Sequence, residues 1–483
     1  MLPAIAVTCL VACLMAPASF SQTPEPQREQ LLNGLRILLL NRPGDANVLL
    51  KLRINSGAAF DPAGKAGTMA LLGDILFPDA VTRDYFSEEM GGRLEVETDF
   101  DAINITLQGR AAEYDRIVDV LRAALVTTLI TQENVNKVRE ARIKALGETR
   151  SSASEAAHRA IALRLFDSFP YANSTVGTLE TVGRIERSDL MLAREKFLSP
   201  DNATLVIIGG VDQRRAMRAL RQLLGGWRKS DQLVPATFRQ PPPPDPRTLI
   251  ADFRGTPATE VRLATRGIAR GDRDFFAAEL LTAIALERWQ KQLPDLKGSA
   301  FVRQEAHLLP GMFVMGATVD SAAAVHAIGS ARQTLESLVN VPVSPAELAS
   351  ARNKNAGPSA ISANESLANA WLDIEAYALP SLSEQARAWN SLLPSDLQRV
   401  ATRLFKEAAL ASAAVGNAED LKSRLAPLLK IEVQGESAPK ALGPQPTKPA
   451  DAEPAKQRTV PTFKPLKPTN PLMKSNKPTT KPG

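Results

Sequence analysis

Histidine and cysteine are the side chains that most often bind metal ions or act as nucleophiles near neutral pH, and this 483-residue sequence has few of either. Its three histidines, His158, His307 and His326, stand far apart, and none has a second ligand at metal-binding spacing. They read as surface or core histidines. Both cysteines, Cys9 and Cys13, fall at the extreme N-terminus. No Gly-x-Ser-x-Gly elbow, Walker A loop or Gly-x-Gly-x-x-Gly fingerprint occurs. A Ser/His/Asp triad is recognised by geometry, so spacing leaves that chemistry open.

The two cysteines sit inside an apolar run, Ile5 to Met15, followed by the small residues Ala16, Ala18, Ser19 and Ser21. Such a run is shorter than the ~20 residues of a membrane span and reads as a secretory signal over 1–21, with cleavage near Ser21. Leu10-Val11-Ala12-Cys13 resembles a lipobox, so lipoprotein anchoring at Cys13 is the alternative. The expected location is the periplasm or cell envelope. Cleavage near Ser21 would leave a mature chain without a thiol.

The elements that would carry any site belong to an ordinary folded protein: 44% of residues are hydrophobic and 23% charged. The length calls for two or three domains. After a polar leader over 22–30, Gly34 to Leu40 and Val48 to Asn55 read as two strands of a hairpin around Arg42-Pro43-Gly44-Asp45. Helical periodicity marks 67–76, 114–128, 132–146 and 153–166, and strand character marks 102–108 and 203–208. Four prolines, Pro241 to Pro244, form a linker. The pattern then repeats, with strands at 261–265 and 312–319 and helices at 275–292, 322–338, 345–351 and 366–378. The expected fold class is α+β: two similar domains over 28–232 and 248–432, separated by a Pro-rich linker at 233–247.

The formal charge of +6 is concentrated at the C-terminus, where residues 437–483 carry nine Lys or Arg against Asp451 and Glu453, leaving about −1 for everything before. A nucleic-acid groove in the folded part is therefore not expected. Recurrent proline and sparse apolar residues predict a disordered Lys/Pro-rich tail over 433–483, either a spacer or a contact for an anionic envelope surface.

Taken in order, Asn33-Gly34-Leu35-Arg36, Asn55-Ser56-Gly57-Ala58, the helix entered at Gly67, Phe169-Pro170-Tyr171, Gly177-Thr178 and Phe197-x-x-Pro200-x-Asn202 resemble the first domain of the pitrilysin/insulinase zinc metallopeptidases, the inverzincins, including their processing-peptidase branch. Pro310-Gly311-Met312-Phe313 and Ala317 to Asp320 are similar to the family's second domain. The resemblance covers about 31–430 and rests on the order of the pieces, none of which is specific alone. It implies a duplicated, half-clam pair of domains, each with a mostly antiparallel sheet packed by helices.

In that family a His-x-x-Glu-His helix supplies two zinc ligands and a general base. The matching positions here are Ala70, Gly73 and Asp74. Counting back from Phe169 places the family's third ligand around Lys144 or Ala145, with Glu140 and Glu148 as the nearby carboxylates. The family's substrate-binding Arg and Tyr in the second domain fall on Pro294 and Phe301. Every one of these positions is substituted. The resemblance therefore implies no catalytic residues, no metal and no cofactor. It points to an exported non-catalytic homologue, a homo- or hetero-oligomer with a family member, with peptide binding in the inter-domain cavity as a further expectation. The alternatives are a metallopeptidase with carboxylate ligands, such as Asp74 with Glu140 or Glu148 and Mn²⁺, and an independent envelope-binding protein that uses the tail.

Overall fold

The computed structural model describes residues 24–148, 152–230, 234–253, 258–293, 299–355 and 357–434. The expected signal segment and Pro294 lie outside these described residues, as does the Lys/Pro-rich tail from residue 435 onward; Val433, expected in that tail, instead ends a strand paired at Ile250. The first sheet is built from β1 (Gln27–Gln30), β2 (Arg36–Asn41), β3 (Asn47–Ile54), β4 (Arg93–Thr98), β5 (Ile103–Arg110) and β6 (Ala203–Gly209), in the order β1-β2-β6-β3-β5-β4. The second uses β7 (Thr248–Asp252), β8 (Ala258–Arg266), β9 (Ala300–Glu305), β10 (Met312–Asp320), β11 (Ala411–Gly416) and β12 (Ile431–Val433), in the order β12-β7-β11-β8-β10-β9. The last five strands of each list correspond one to one, so the duplication legible in the sequence is real. Most pairs are antiparallel; β2 runs parallel to β6, and β7 parallel to both β11 and β12.

Two expectations about the opening segment fail. The polar leader is not all leader, because Gln27–Gln30 pairs antiparallel with β2 as an edge strand. Nor do β2 and β3 form a hairpin: β6 lies between them, with Leu38 opposite Val206 on one side and Lys51 opposite Val206 on the other. The physical reason is burial. Most residues of β2, β3 and β6 are apolar, and β3 and β6 are buried almost throughout, which suits central strands. A lone hairpin would leave one edge of each strand open.

The helices of the first half are α1 (Thr68–Asp74), α2 (Ala80–Met90), α3 (Tyr114–Arg122), α4 (Gln132–Glu148), α5 (Ala153–Phe166), α6 (Leu179–Gly183), α7 (Arg187–Phe197) and α8 (Gln213–Leu224). Those of the second are α9 (Phe275–Gln292), α10 (Ala324–Asn340), α11 (Pro345–Lys354), α12 (Asn364–Tyr377), α13 (Leu382–Ser391), α14 (Pro394–Phe405) and α15 (Ala418–Leu425). The helix expected over 114–128 ends earlier, because Ala123–Thr127 widens into a π-turn closed by Thr127 and Thr128 hydroxyls on the Ala123 carbonyl.

Two helices cross between the halves. One face of the first sheet, with Leu50, Leu52, Ile105 and Leu205, is covered by its own helices, whereas the other, with Leu38, Leu49, Val206 and Ile208, is covered by Leu367, Ala368, Trp371 and Leu372 of α12. Reciprocally, Ala157, Ile161, Leu165 and Phe166 of α5 pack on Leu249, Ala264, Val314 and Ala413 of the second sheet. Each half thus completes the other's core.

The degenerate zinc helix as candidate functional site

Helix α1 is held by a single carboxylate. Asp61 accepts from the backbone N–H of Gly67 at 2.6 Å and of Met69 at 2.7 Å, satisfying donors at the helix start that have no partner within the helix. Gly67 is left-handed (φ 96°), and a Cβ there would stand 2.9 Å from the Val176 carbonyl, so the entry needs glycine. Burial pushes the Asp61 carboxyl up to about 7, against the opposing pull of those two N–H groups. Pro78 stops the helix, and Ile75, Leu76 and Phe77 follow it as buried turn residues.

Ala70, Gly73 and Asp74 all lie on this helix. Ala70 is buried and offers only a methyl group. Gly73 packs on the sheet, where a Cβ would meet Val96 Cγ1 at 3.0 Å and Ile103 Cγ2 at 3.3 Å. Asp74 faces α4, where its Oδ2 accepts from Arg142 Nη2 at 2.6 Å and Nε at 3.0 Å. Burial raises the Asp74 carboxyl above the ordinary range, opposed by the charges of Arg142 and Arg83.

This donor set does not fit zinc. Ala70 and Gly73 supply no ligand and no base, and the remaining carboxylate is engaged by a guanidinium whose charge opposes a divalent cation. Among the described residues no group of three or more His, Cys, Asp and Glu could hold a metal ion.

The carboxylates considered for rescue point elsewhere. On α4, Glu140 and Glu148 are offset from Arg142 by two and six residues, about 200° and 240° around the helix. Glu140 lines an outer groove with Lys137 and Lys144, and Glu148 pairs with Lys144 at 3.8 Å in solvent. The α4 side chain that bonds Asp74 is Arg142.

Phe301 sits on the edge strand β9 opposite Gly316, where any Cβ would stand 2.5 Å from the Phe301 ring. Its ring stacks under Arg262 at 4.9 Å and Arg303 at 4.5 Å, a packing role that needs no hydroxyl. The histidines are dispersed. His158 Nε2 lies 3.7 Å from Glu305, His307 packs on Tyr171 and Phe100, and His326 is exposed on α10. Burial lowers both His158 and His307, favouring the neutral ring.

A polar seam between the halves has no local signature in the sequence. Asp101 accepts from the Tyr377 hydroxyl at 2.9 Å, the Tyr171 hydroxyl at 3.3 Å and the Leu308 N–H at 2.8 Å. Nearby, Asp373 of α12 accepts from Arg53 at 2.7 Å and lies 3.7 Å from Arg270. These partners are separated by 70 to 320 residues, so no spacing rule could have joined them.

Sequence comparison matches residues 36–179 to the profile of the insulinase family (peptidase family M16) and residues 184–355 to that of the M16 peptidase inactive domain. A search of curated proteins finds no matching sequence. Among solved structures, a protease from Helicobacter pylori superposes with a TM-score of 0.72 at 17% identity, over 81% of this chain and 100% of that one. A peptidase M16 inactive domain from Pseudomonas fluorescens gives 0.72 at 16% identity over 81% and 98%. The periplasmic protease PqqL from Escherichia coli gives 0.67 at 16% identity, over 83% of this chain and 49% of that one. With the two profiles together spanning both halves, and the second of them that of the inactive domain, the chain belongs to the insulinase family of peptidases as a degenerate member.

Proposed function

We propose that this chain is an exported, non-catalytic member of the family that serves as a partner or scaffold subunit beside an active, zinc-bearing member. The observation that carries the proposal is the Asp74–Arg142 ion pair on a helix whose core contacts are intact. The site has not decayed at random. It retains α1 as a packing element and pairs the carboxylate at the inferred ligand position with a cation of its own. Interlocked halves suit a scaffold, because α5 and α12 hold the two sheets in one arrangement.

Export is supported by the N-terminal apolar run and by the family likeness to a protein described as periplasmic. No helix among the described residues is long and apolar enough to cross a membrane.

The test is to incubate the purified chain with a peptide library, with and without Zn²⁺ or Mn²⁺, and to co-express it with a family member that has an intact His-x-x-Glu-His helix. The expected result is no metal-dependent cleavage by this chain alone and a stable complex with its partner. Metal-dependent cleavage would sink the non-catalytic reading, and absence of any complex would remove the subunit role.

A further inference from the structure

Helix α8 buries Ala216, Met217 and Leu220 in the first core and turns Arg214, Arg218 and Arg221 outward. At spacings of i, i+4 and i+7 these three share one exposed stripe. None of them makes an ion pair or hydrogen bond with a described residue. Their neighbour Arg215, on another side of the helix, is fully used by Asp115 at 2.7 Å and by the Ala111 and Ala112 carbonyls. The stripe is therefore a surplus of positive charge, distinct from the basic tail and remote in sequence from α1.

Beside it lies β1, which among the described residues pairs only with β2 and leaves its other edge without a strand partner. Between helix and strand runs a groove of about 700 Å³ with Met217 in its lining. Glu29 is the one carboxylate lining it, held by Gln213 at 2.6 Å. At the far end Asn33 bonds the Leu224 and Trp227 carbonyls, and the adjacent Leu32 is wholly exposed.

We infer that this groove docks an extended acidic segment of a partner protein, laid along the β1 edge with carboxylates on Arg214, Arg218 and Arg221. Charge carries the choice of occupant: three exposed arginines that bond to no described side chain call for carboxylates. Arg214 and Arg218 stand about 6 Å apart along the helix axis and Arg218 and Arg221 about 4.5 Å, so side chains that alternate every ~6.7 Å along an extended strand match the first pair, and the long arm of Arg221 must span an offset of about 3 Å at the third. The edge of β1 supplies backbone donors and acceptors of the kind that strand addition uses, and Leu32 offers an apolar contact at the exit. An anionic bilayer could also meet the arginines, but it offers the β1 edge no backbone groups to pair with. The inference is independent of whether the chain cleaves peptides.

The test uses the full chain and a fluorescein-labelled peptide of four Glu-Thr repeats, with its Gln-Thr counterpart as competitor. The acidic peptide should bind with an affinity that falls with salt, and the neutral one should not compete. The triple variant Arg214→Gln, Arg218→Gln, Arg221→Gln should weaken binding about tenfold while leaving the thermal midpoint unchanged, since these side chains are exposed. Glu29→Gln should tighten binding, which a merely misfolded variant could not mimic. Unchanged affinity in the triple variant would place binding on the tail or elsewhere and overturn the inference. So would loss of binding to phosphatidylglycerol vesicles with peptide binding intact, which would make the stripe a membrane contact.

Discussion

Arg142 of α4 grips Asp74 at the end of α1 through two of its nitrogens, at 2.6 and 3.0 Å to a single carboxylate oxygen. The pair ties α1 to α4 through a fixed cation of the chain itself.

Both side chains of this pair are about one-fifth exposed, so removing one partner leaves the other poorly solvated. Arg142→Ala should cost about 2 kcal/mol in urea unfolding, and Asp74→Ala a similar amount. The double variant should lose less than the sum, with a coupling of about 1 kcal/mol. A coupling of zero would mean that the pair is incidental to α1.

Gly73 cannot be returned to glutamate without penalty, because the side chain would start against Val96 and Ile103. Gly73→Glu should lower stability by about 2 kcal/mol, overpacking outweighing the helix-propensity gain of replacing glycine. The measurement is the shift in thermal midpoint. A variant as stable as the wild type would show that the family's base position remains open.

The contrast between what could be read from residues and what could not follows from the range of the interactions. Helix α1, carrying Ala70, Gly73 and Asp74, and the repeat of strands and helices were legible, because periodicity and motif order are local. The place of β6 between β2 and β3 was not, since the turn at Arg42 to Asp45 gives the same signal whether its flanking strands pair with each other or with a third strand. Arg142 was missed for a chemical reason. A search for a third metal ligand looks for carboxylates, and only the loss of the metal makes an arginine the fitting partner for Asp74. The crossing of α5 and α12 was equally hidden, because an amphipathic helix does not say which sheet it covers.

That crossing makes each half dependent on the other. Residues 24–232 expressed alone would leave Leu38, Leu49, Val206 and Ile208 bare where Trp371 and Leu372 normally lie. Such a fragment should bind a hydrophobic dye and aggregate, whereas co-expression with residues 234–434 should yield a soluble one-to-one complex. In the intact chain Trp371→Ala should cost about 4 kcal/mol in a single unfolding transition. A soluble, cooperatively folding first half would refute the interlock.

The seam at Asp101 gives a gentler perturbation of the same boundary. Tyr377→Phe removes only the hydroxyl that donates to Asp101 at 2.9 Å. The loss of a hydrogen bond to a charged acceptor should cost about 2 kcal/mol and raise hydrogen exchange around Leu308 and Leu309, which the seam orders. Unchanged exchange there would mean that Tyr377 and the loop are held separately.

Glu305 supplies the clearest pH signature. Burial lifts its carboxyl from 4.5 to about 7, more than the nearby Arg303 lowers it, and His158 beside it is driven toward its neutral form. A carboxyl with a raised folded value is protonated in the native state where the unfolded chain has already lost its proton. Its contribution therefore falls as pH rises from about 4.5 to about 7, and the sum is bounded by about 3 kcal/mol. Glu305→Gln keeps the neutral shape and removes that titration. The variant should match the wild type near pH 4 and exceed it in stability by up to about 3 kcal/mol at pH 8, read from urea unfolding at both values. Asp61 titrates in the same direction and His158 in the opposite one, but both remain in the variant, so they largely cancel in the difference. A difference independent of pH would mean that Glu305 is ionised in the folded chain at neutral pH, held by Arg303 rather than neutralised by burial.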